Sequence, residues 1–306
     1  MELRQLIYFI EVAKREHMTE AAEALHVAQS AISRQIANLE AELEVDLFIR
    51  DGRNVRLTRV GEVFLEHAER AVHAIHYAKR VVKEHTDPER GMIHIGFTSS
   101  LASLILPTLI SAFRKKYPHI KFQLNQASHN ELEKRLVLGE INLALLGPVP
   151  TKKERIKGTI LFQEKIVALL PEAHPLANEK AVSLDQLRKD VFVLYPEGYV
   201  LRKMVTDACK QLGFKPEVSF EGQDIDTIKG LVSAGLGISL IPEITIANDM
   251  PKGIAIVELT NPNVRRTVGM ITPTERELLP AEKLFYHFAI EFFSRLERFQ
   301  YQNLSI

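Results

Sequence analysis

The sequence has little of what holds a secreted or membrane protein together. Among 306 residues there is one cysteine, Cys209, so no intrachain disulfide can form and a disulfide-stapled extracellular scaffold is excluded. No apolar run approaches the ~20 residues that a membrane helix needs. The opening Met1-Glu2-Leu3-Arg4-Gln5-Leu6 carries an acid at once and lacks an unbroken apolar core, so it does not read as a signal peptide, and the cytoplasm is the expected location. Net charge is missing too. The 39 Lys and Arg balance 39 Asp and Glu, so no global field draws the chain to nucleic acid, and a role there must rest on local charge and geometry. Catalytic signatures are also absent: there is no P-loop, Gly-x-Ser-x-Gly, His-Glu-x-x-His or Cys-x-x-Cys, and neither an enzyme nor a cofactor is expected. His73 and His76 stand three apart without a third ligand nearby and read as surface or seam histidines, not a metal site. Cys209, without a redox partner, reads as packing.

What is present is a soluble globular mixture, 46% hydrophobic and 25% charged, long enough for two or three domains. Up to His85 the pattern is helical almost throughout and contains no proline. Leu3, Leu6, Ile7, Phe9, Ile10 and Ala13 mark one amphipathic helix. A second, short one runs from Thr19, a fair cap, to Leu25. After His26-Val27-Ala28, a third spans Gln29 to Leu43. Its Ile32, Ile36, Leu39 and Leu43 share a buried face and turn Gln29, Ser30, Ser33, Arg34 and Gln35 away from it. Two short helices joined tightly are a helix-turn-helix, whose second helix carries side chains able to read base edges and hold phosphates; an ordinary helical bundle with a polar surface fits the same pattern.

The next segment favours the nucleic-acid reading. Leu47 to Arg50 and Asn54 to Thr58 are strand-like, with Asp51-Gly52 as a hairpin turn. Arg50, Arg53, Arg56 and Arg59 fall within ten residues, so the hairpin reads as a basic wing placed against backbone phosphate. Residues 1–90 as a whole hold 13 Lys and Arg against 16 Asp and Glu, so affinity must be focused on one face. From Thr58 to about Glu84 runs one helix of ~40 Å. Phe64, Ala68, Ala71, Ile75, Ala78 and Val82 step by four and three, a coiled-coil seam whose natural partner is a second copy of the chain, with packing on its own domain as the alternative.

Asp87 to Gly91 reads as a linker, and beyond it short apolar strands alternate with helices, which predicts parallel sheet with crossover helices in two similar α/β lobes. Ligands of such sheets bind beyond the carboxyl ends of the strands. Thr98-Ser99-Ser100 is the first such place, with hydroxyls suited to a carboxylate or phosphate, although one serine there also serves as a plain helix cap. Ser128, Gly147-Pro148, Pro196-Glu197-Gly198 and Gly222-Gln223-Asp224 occupy similar positions.

The run from Ala21-Ala22 through Gln29-Ser30-Ala31-Ile32-Ser33-Arg34-Gln35-Ile36 to Leu39-Glu40, then Leu47-Phe48-Ile49-Arg50 and Leu57-Thr58-x-x-Gly61, closely resembles the LysR-type regulators. The likeness continues through His174-Pro175-Leu176 and Gly230 to Gly235. Glu44 departs from it, since the family usually places glycine there, at a left-handed helix end. The resemblance implies an α+β multidomain fold: a winged helix-turn-helix (1–58), a linker and dimerisation helix (59–89) and a two-lobed periplasmic-binding-protein-like effector domain (90–306). The lobes would exchange chain near Leu161 and Arg266, with lobe I at 90–161 and 267–306 and lobe II at 162–266. It implies DNA contacts from Gln29, Ser30, Ser33, Arg34, Gln35, Arg50, Arg53 and Arg56. It implies effector contacts from Thr98, Ser99, Ser100, Ser128, Pro148, Pro196, Glu197 and Gly198. The implied partners are an operator in double-stranded DNA, a small carboxylate effector, RNA polymerase and further copies in a homodimer or homotetramer. His26-Val27-Ala28-Gln29, Ala144 to Pro150 and Pro196-Glu197-Gly198 are similar to family members that activate glutamate synthesis, with 2-oxoglutarate and glutamate as implied effectors. Ligand binding between the lobes would then shift the placement of the DNA-binding dimers. A two-lobed solute-binding protein is the main rival reading.

Overall fold

The computed structural model describes residues 1–51, 54–86, 90–246 and 252–303. Two compact units result, Met1–Thr86 with Leu138–Glu140, and Asp87–Val137 with Ile141–Ile306.

The first unit contains helices α1 (Leu3–Arg15), α2 (Met18–Ala24) and α3 (Gln29–Leu43), the hairpin β1 (Phe48–Asp51) and β2 (Asn54–Leu57), and the long helix α4 (Arg59–Thr86). Ile32, Ile36 and Leu39 of α3 meet Leu6, Phe9 and Val12 of α1 in one buried core. Phe9 anchors it, with Phe48 and Phe64 rings at 5.2 and 5.1 Å. The cap of α2 is not Thr19. The helix begins at Met18, so the cap falls two residues earlier, on His17, whose Nδ1 accepts the Glu20 backbone N–H at 3.3 Å. Glu40 closes the far end of α3. Its Oε1 accepts the backbone N–H groups of Leu47 and Phe48 at 2.8 and 3.0 Å and so ties the helix to the hairpin. Gly61 is required where α4 passes the hairpin, because a Cβ there would meet the Leu47 carbonyl oxygen at 2.2 Å.

The apolar seam of α4 is divided. Phe64 and Ala68, with Val72, pack into the unit's own core. Ala71, Ala78 and Val82 are exposed, as are Val60, Val63 and Ile75. The Asp87 to Glu89 part of the expected linker lies outside the described residues.

The second unit is a mixed sheet, not the parallel one its alternating pattern predicts. Its strands are β3 (Met92–Phe97), β4 (Lys121–Gln126), β5 (Leu143–Leu146), β6 (Ile156–Pro171), β7 (Ala181–Ser183), β8 (Val191–Leu194), β9 (Glu217–Glu221), β10 (Ser239–Pro242), β11 (Ile254–Asn261) and β12 (Arg265–Pro273). The main sheet runs β4-β3-β5-β12-β6-β11-β7, with β10 also on β6, and β8-β9 form a smaller sheet. Parallel pairing joins β3 to β4 and β5, β8 to β9 and β11 to β7, whereas β12, β10 and β11 all meet β6 antiparallel. The reason is β6, whose 16 residues pass from one lobe to the other. Its first part pairs with β12 and its second with β10 and β11, so each lobe receives a strand entering from its neighbour.

Period-2 alternation sorts these strands between layers. Leu143 and Leu145 face one core with α5 (Ile105–Lys116) and α9 (Pro280–Asn303), while Ala144 and Leu146 face another with α6 (His129–Leu138). Ile166, Ala168 and Leu170 pack toward α7 (Val200–Gln211), and Val167 and Leu169 toward α8 (Ile225–Ser233). Helix α5 starts at Ile105, later than the expected Leu101, because a 3-10 turn, Ser99–Leu101, intervenes. Among the described residues no helix is long and apolar enough to cross a membrane.

Two outcomes follow. Glu44 sits at φ 56 at the C-terminal end of α3, in the left-handed region where a side chain is strained. Glu44→Gly is expected to raise unfolding stability by about 1 kcal/mol, read from chemical denaturation of residues 1–86 or the whole chain. Cys209 is buried in the α7 core, and burial pushes its thiol up to about 11. The native protein should resist alkylation at neutral pH and react stoichiometrically once unfolded, as counted by mass spectrometry.

Candidate functional site

The first unit presents a polar face on α3. Gln29, Ser30 and Arg34 are exposed and Ser33 and Gln35 half-buried, opposite the buried Ile32, Ile36 and Leu39. Gln29 Nε2 donates to Ser33 Oγ at 3.0 Å, which orients both at the start of the helix. Arg34 makes no ion pair among the described residues, so its guanidinium remains available to an anion. In the hairpin, Arg56 is exposed on β2. Arg50 lies on β1 opposite Val55, and its side chain, like all of Gly52 and Arg53, lies outside the described residues. The long helix contains His73, which burial, followed by the nearby Lys14, pushes below the usual imidazole range.

In the second unit, parallel pairing of β3 with β4 and β5 puts three of the sequence's strand ends side by side: Thr98 to Ser100, Ser128 and Pro148. Ser128 Oγ accepts the Glu131 N–H at 3.4 Å and so caps α6. The Pro148 carbonyl lies 2.8 Å from His129 Nε2. Thr98 precedes the 3-10 turn, Ser99 is half-buried and Ser100 buried. Pro196, Glu197 and Gly198 follow β8 in the other lobe; Glu197 and Gly198 are exposed, and Gly198 takes φ +89. Asp224, singled out at a strand end, caps α8 instead. Its oxygens accept from the Thr227 backbone and hydroxyl and from the Asp226 N–H, which holds its carboxyl below the usual range.

The serines meet residues that motif reading did not assign to the site. Arg266 on β12 and Glu164 on β6 are directly opposed across the strand pair. Their side chains are only 1% and 6% exposed, which makes the pair almost solvent-free. Arg266 Nε and Nη2 both approach Glu164 Oε1 at 2.6 Å; Nη2 also donates to Ser100 Oγ at 3.0 Å and Nη1 to the Gly147 carbonyl at 3.4 Å. Gly147 makes room for this: a Cβ there would meet the Thr267 carbonyl oxygen at 2.8 Å and Arg266 Nε at 3.4 Å. Tyr195, the last residue before Pro196, stacks on Tyr199 at 5.4 Å and turns its buried hydroxyl toward Ser99. Burial pushes this phenol up to about 12, so it is a donor at neutral pH.

Residues 3–62 match the bacterial regulatory helix-turn-helix protein model of the lysR family, and residues 86–294 match the LysR substrate binding domain model. The chain belongs to the LysR family of DNA-binding transcription regulators. It is similar along its length to the transcriptional dual regulator GltC of Bacillus subtilis (strain 168), with 57% identity over 300 residues, covering 98% of this chain and 100% of that protein. Full-length CbnR complexed with its target DNA superposes with a TM-score of 0.73 at 26% identity, covering 94% of this chain and 99% of that one. Full-length OxyR from Pseudomonas aeruginosa shares the fold, with a TM-score of 0.71 at 24% identity, covering 95% and 98%.

Burial pushes the Glu164 carboxyl above the usual range, against the opposing pull of Arg266. A carboxyl whose folded value exceeds its unfolded one contributes stability that is full below the unfolded value and lost as pH rises through the folded value. Glu164→Gln fixes the neutral state. Thermal unfolding between about pH 4 and 8 should show a flatter decline for this variant than for the parent.

Proposed function

We propose that this regulator controls glutamate synthase genes, that it responds to a small carboxylate, 2-oxoglutarate or glutamate, and that it works in the cytoplasm as a homodimer or homotetramer. The observation that carries the reading is the 57% identity to GltC from end to end. Supporting it are the motifs that resemble regulators of glutamate synthesis and the hydroxyl-lined strand ends of the second unit, which suit a carboxylate.

DNA contact is assigned to Gln29, Ser30, Ser33, Arg34 and Gln35 in the major groove and to Arg50, Arg53 and Arg56 on the adjacent backbone. The exposed polar face of α3 favours this assignment, as does the DNA-bound state of the related CbnR structure. Pairing with a second copy through α4 is favoured by Val60, Val63, Ile75 and Val82, which leave apolar surface at 51%, 60%, 37% and 69% exposure. Paired reading heads suit two operator half-sites, and RNA polymerase is the expected downstream contact. The effector site comprises Thr98, Ser99, Ser100, Ser128, Pro148 and Pro196 to Gly198. A ligand that prefers one lobe arrangement biases the regulator toward that state.

The test is a mobility-shift titration on a glutamate synthase promoter fragment at fixed salt, with and without 2-oxoglutarate. Specific retardation that responds to the effector is the expected result; retardation only of unrelated promoters assigns the chain to another operon. In the same assay Arg34→Ala should weaken binding by roughly 1–3 kcal/mol, and an undiminished affinity removes Arg34 from the reading face.

A further inference from the structure

Around Arg266, hydroxyl groups gather beside a carboxylate that is engaged through one oxygen only. The Tyr195 hydroxyl is buried and makes no hydrogen bond of good geometry among the described residues. Ser99 lies beside it. The Ser100 oxygen accepts from Arg266 and so keeps its own proton to give, with Thr98 Oγ1 at 3.5 Å as the alternative partner. Among the described residues, Glu164 is the carboxylate bonded to Arg266, and it engages the guanidinium through one oxygen. Guanidinium and carboxylate usually meet through two parallel bonds, whereas Glu164 offers Oε1 to both nitrogens and leaves Oε2 buried and unpartnered. Three hydroxyl donors and a cation therefore converge from both lobes and the strand crossing, and a group with two acceptor oxygens and no proton would complete them.

Resting on the reading of this chain as a carboxylate-responsive regulator, we propose that Tyr195, Ser99, Ser100 and Arg266 form the subsite for one carboxylate of the effector, and that Glu164 occupies Arg266 as an internal stand-in until the effector arrives. Glu164 is suited to yielding. Burial and the neighbouring Glu243 push its carboxyl up, with Arg266 and the Ile244 backbone opposing them, so its charge is held in place largely by the guanidinium that the effector would take over. Tyr195 is held in place by its ring: it stacks on Tyr199 and packs with Val193, Ile225 and Ile228. Its hydroxyl is therefore presented at a set position.

Two near-isosteric variants of the full-length chain test this by calorimetric titration with 2-oxoglutarate, alongside thermal unfolding without ligand. Tyr195→Phe removes one oxygen. Affinity should fall about tenfold or more, while the ligand-free melting temperature holds or rises, since the hydroxyl it loses makes no hydrogen bond of good geometry among the described residues. Glu164→Gln removes the competing charge and should tighten binding. A Tyr195→Phe protein that binds like the parent, or that loses affinity and ligand-free stability together, overturns the subsite. A Glu164→Gln protein that binds more weakly overturns the stand-in role. In either case parental binding still stands for the carboxylate reading. A parent chain that binds neither 2-oxoglutarate nor glutamate overturns that reading and this assignment with it, and retention of DNA in a mobility shift certifies that each variant is folded.

Discussion

One buried guanidinium organises the second unit. Removing an unpaired arginine from water is costly on the scale of a domain's net stability, so burial of Arg266 depends on the three residues that reach it, Glu164, Ser100 and Gly147. Glu164 faces it across the β6–β12 pairing, Ser100 reaches it from the end of β3, and the Gly147 carbonyl from the end of β5. These contacts join the crossing strands to the first lobe at the place where its strand ends gather. The absence of a side chain at Gly147 is part of the same constraint, because any carbon there would press on the Thr267 backbone and crowd the guanidinium.

How much of this was legible in the sequence depended on distance along the chain. Helix α3 could be bounded at Gln29 and Leu43 from local periodicity alone, because its buried residues recur every three or four positions. Thr98 to Ser100, Ser128 and Pro148 could be placed at strand ends, since each follows its own strand directly. Arg266 and Glu164 could not be joined this way. They are 102 positions apart, and nothing local to either says that β6 continues through both lobes. The same continuity hid the mixed sheet: an apolar run such as Ile166 to Leu170 looks alike in parallel and antiparallel surroundings. Tyr195 does not stand out because a tyrosine ending a buried strand looks like core until its hydroxyl is seen beside Ser99, without a hydrogen bond of good geometry among the described residues.

The first unit shows local preference being overridden. Glu16, His26 and Glu44 all take left-handed backbone without being glycine, at φ 52, 54 and 56. Each stands in a tight connection beside a helix of the compact core. The packing of Phe9, Phe48 and Phe64 and the ties from Glu40 are what such local strain must be weighed against. The long helix mixes two roles that one seam conceals. Its early apolar residues complete this core, and its later ones face outward.

The carboxylate of Glu40 has a wider consequence. By fastening two backbone amides at the start of the hairpin to α3, it couples the placement of the hairpin to that of the helix. A substitution of that one side chain is therefore felt in two places, at the end of the helix and at the entry to the hairpin.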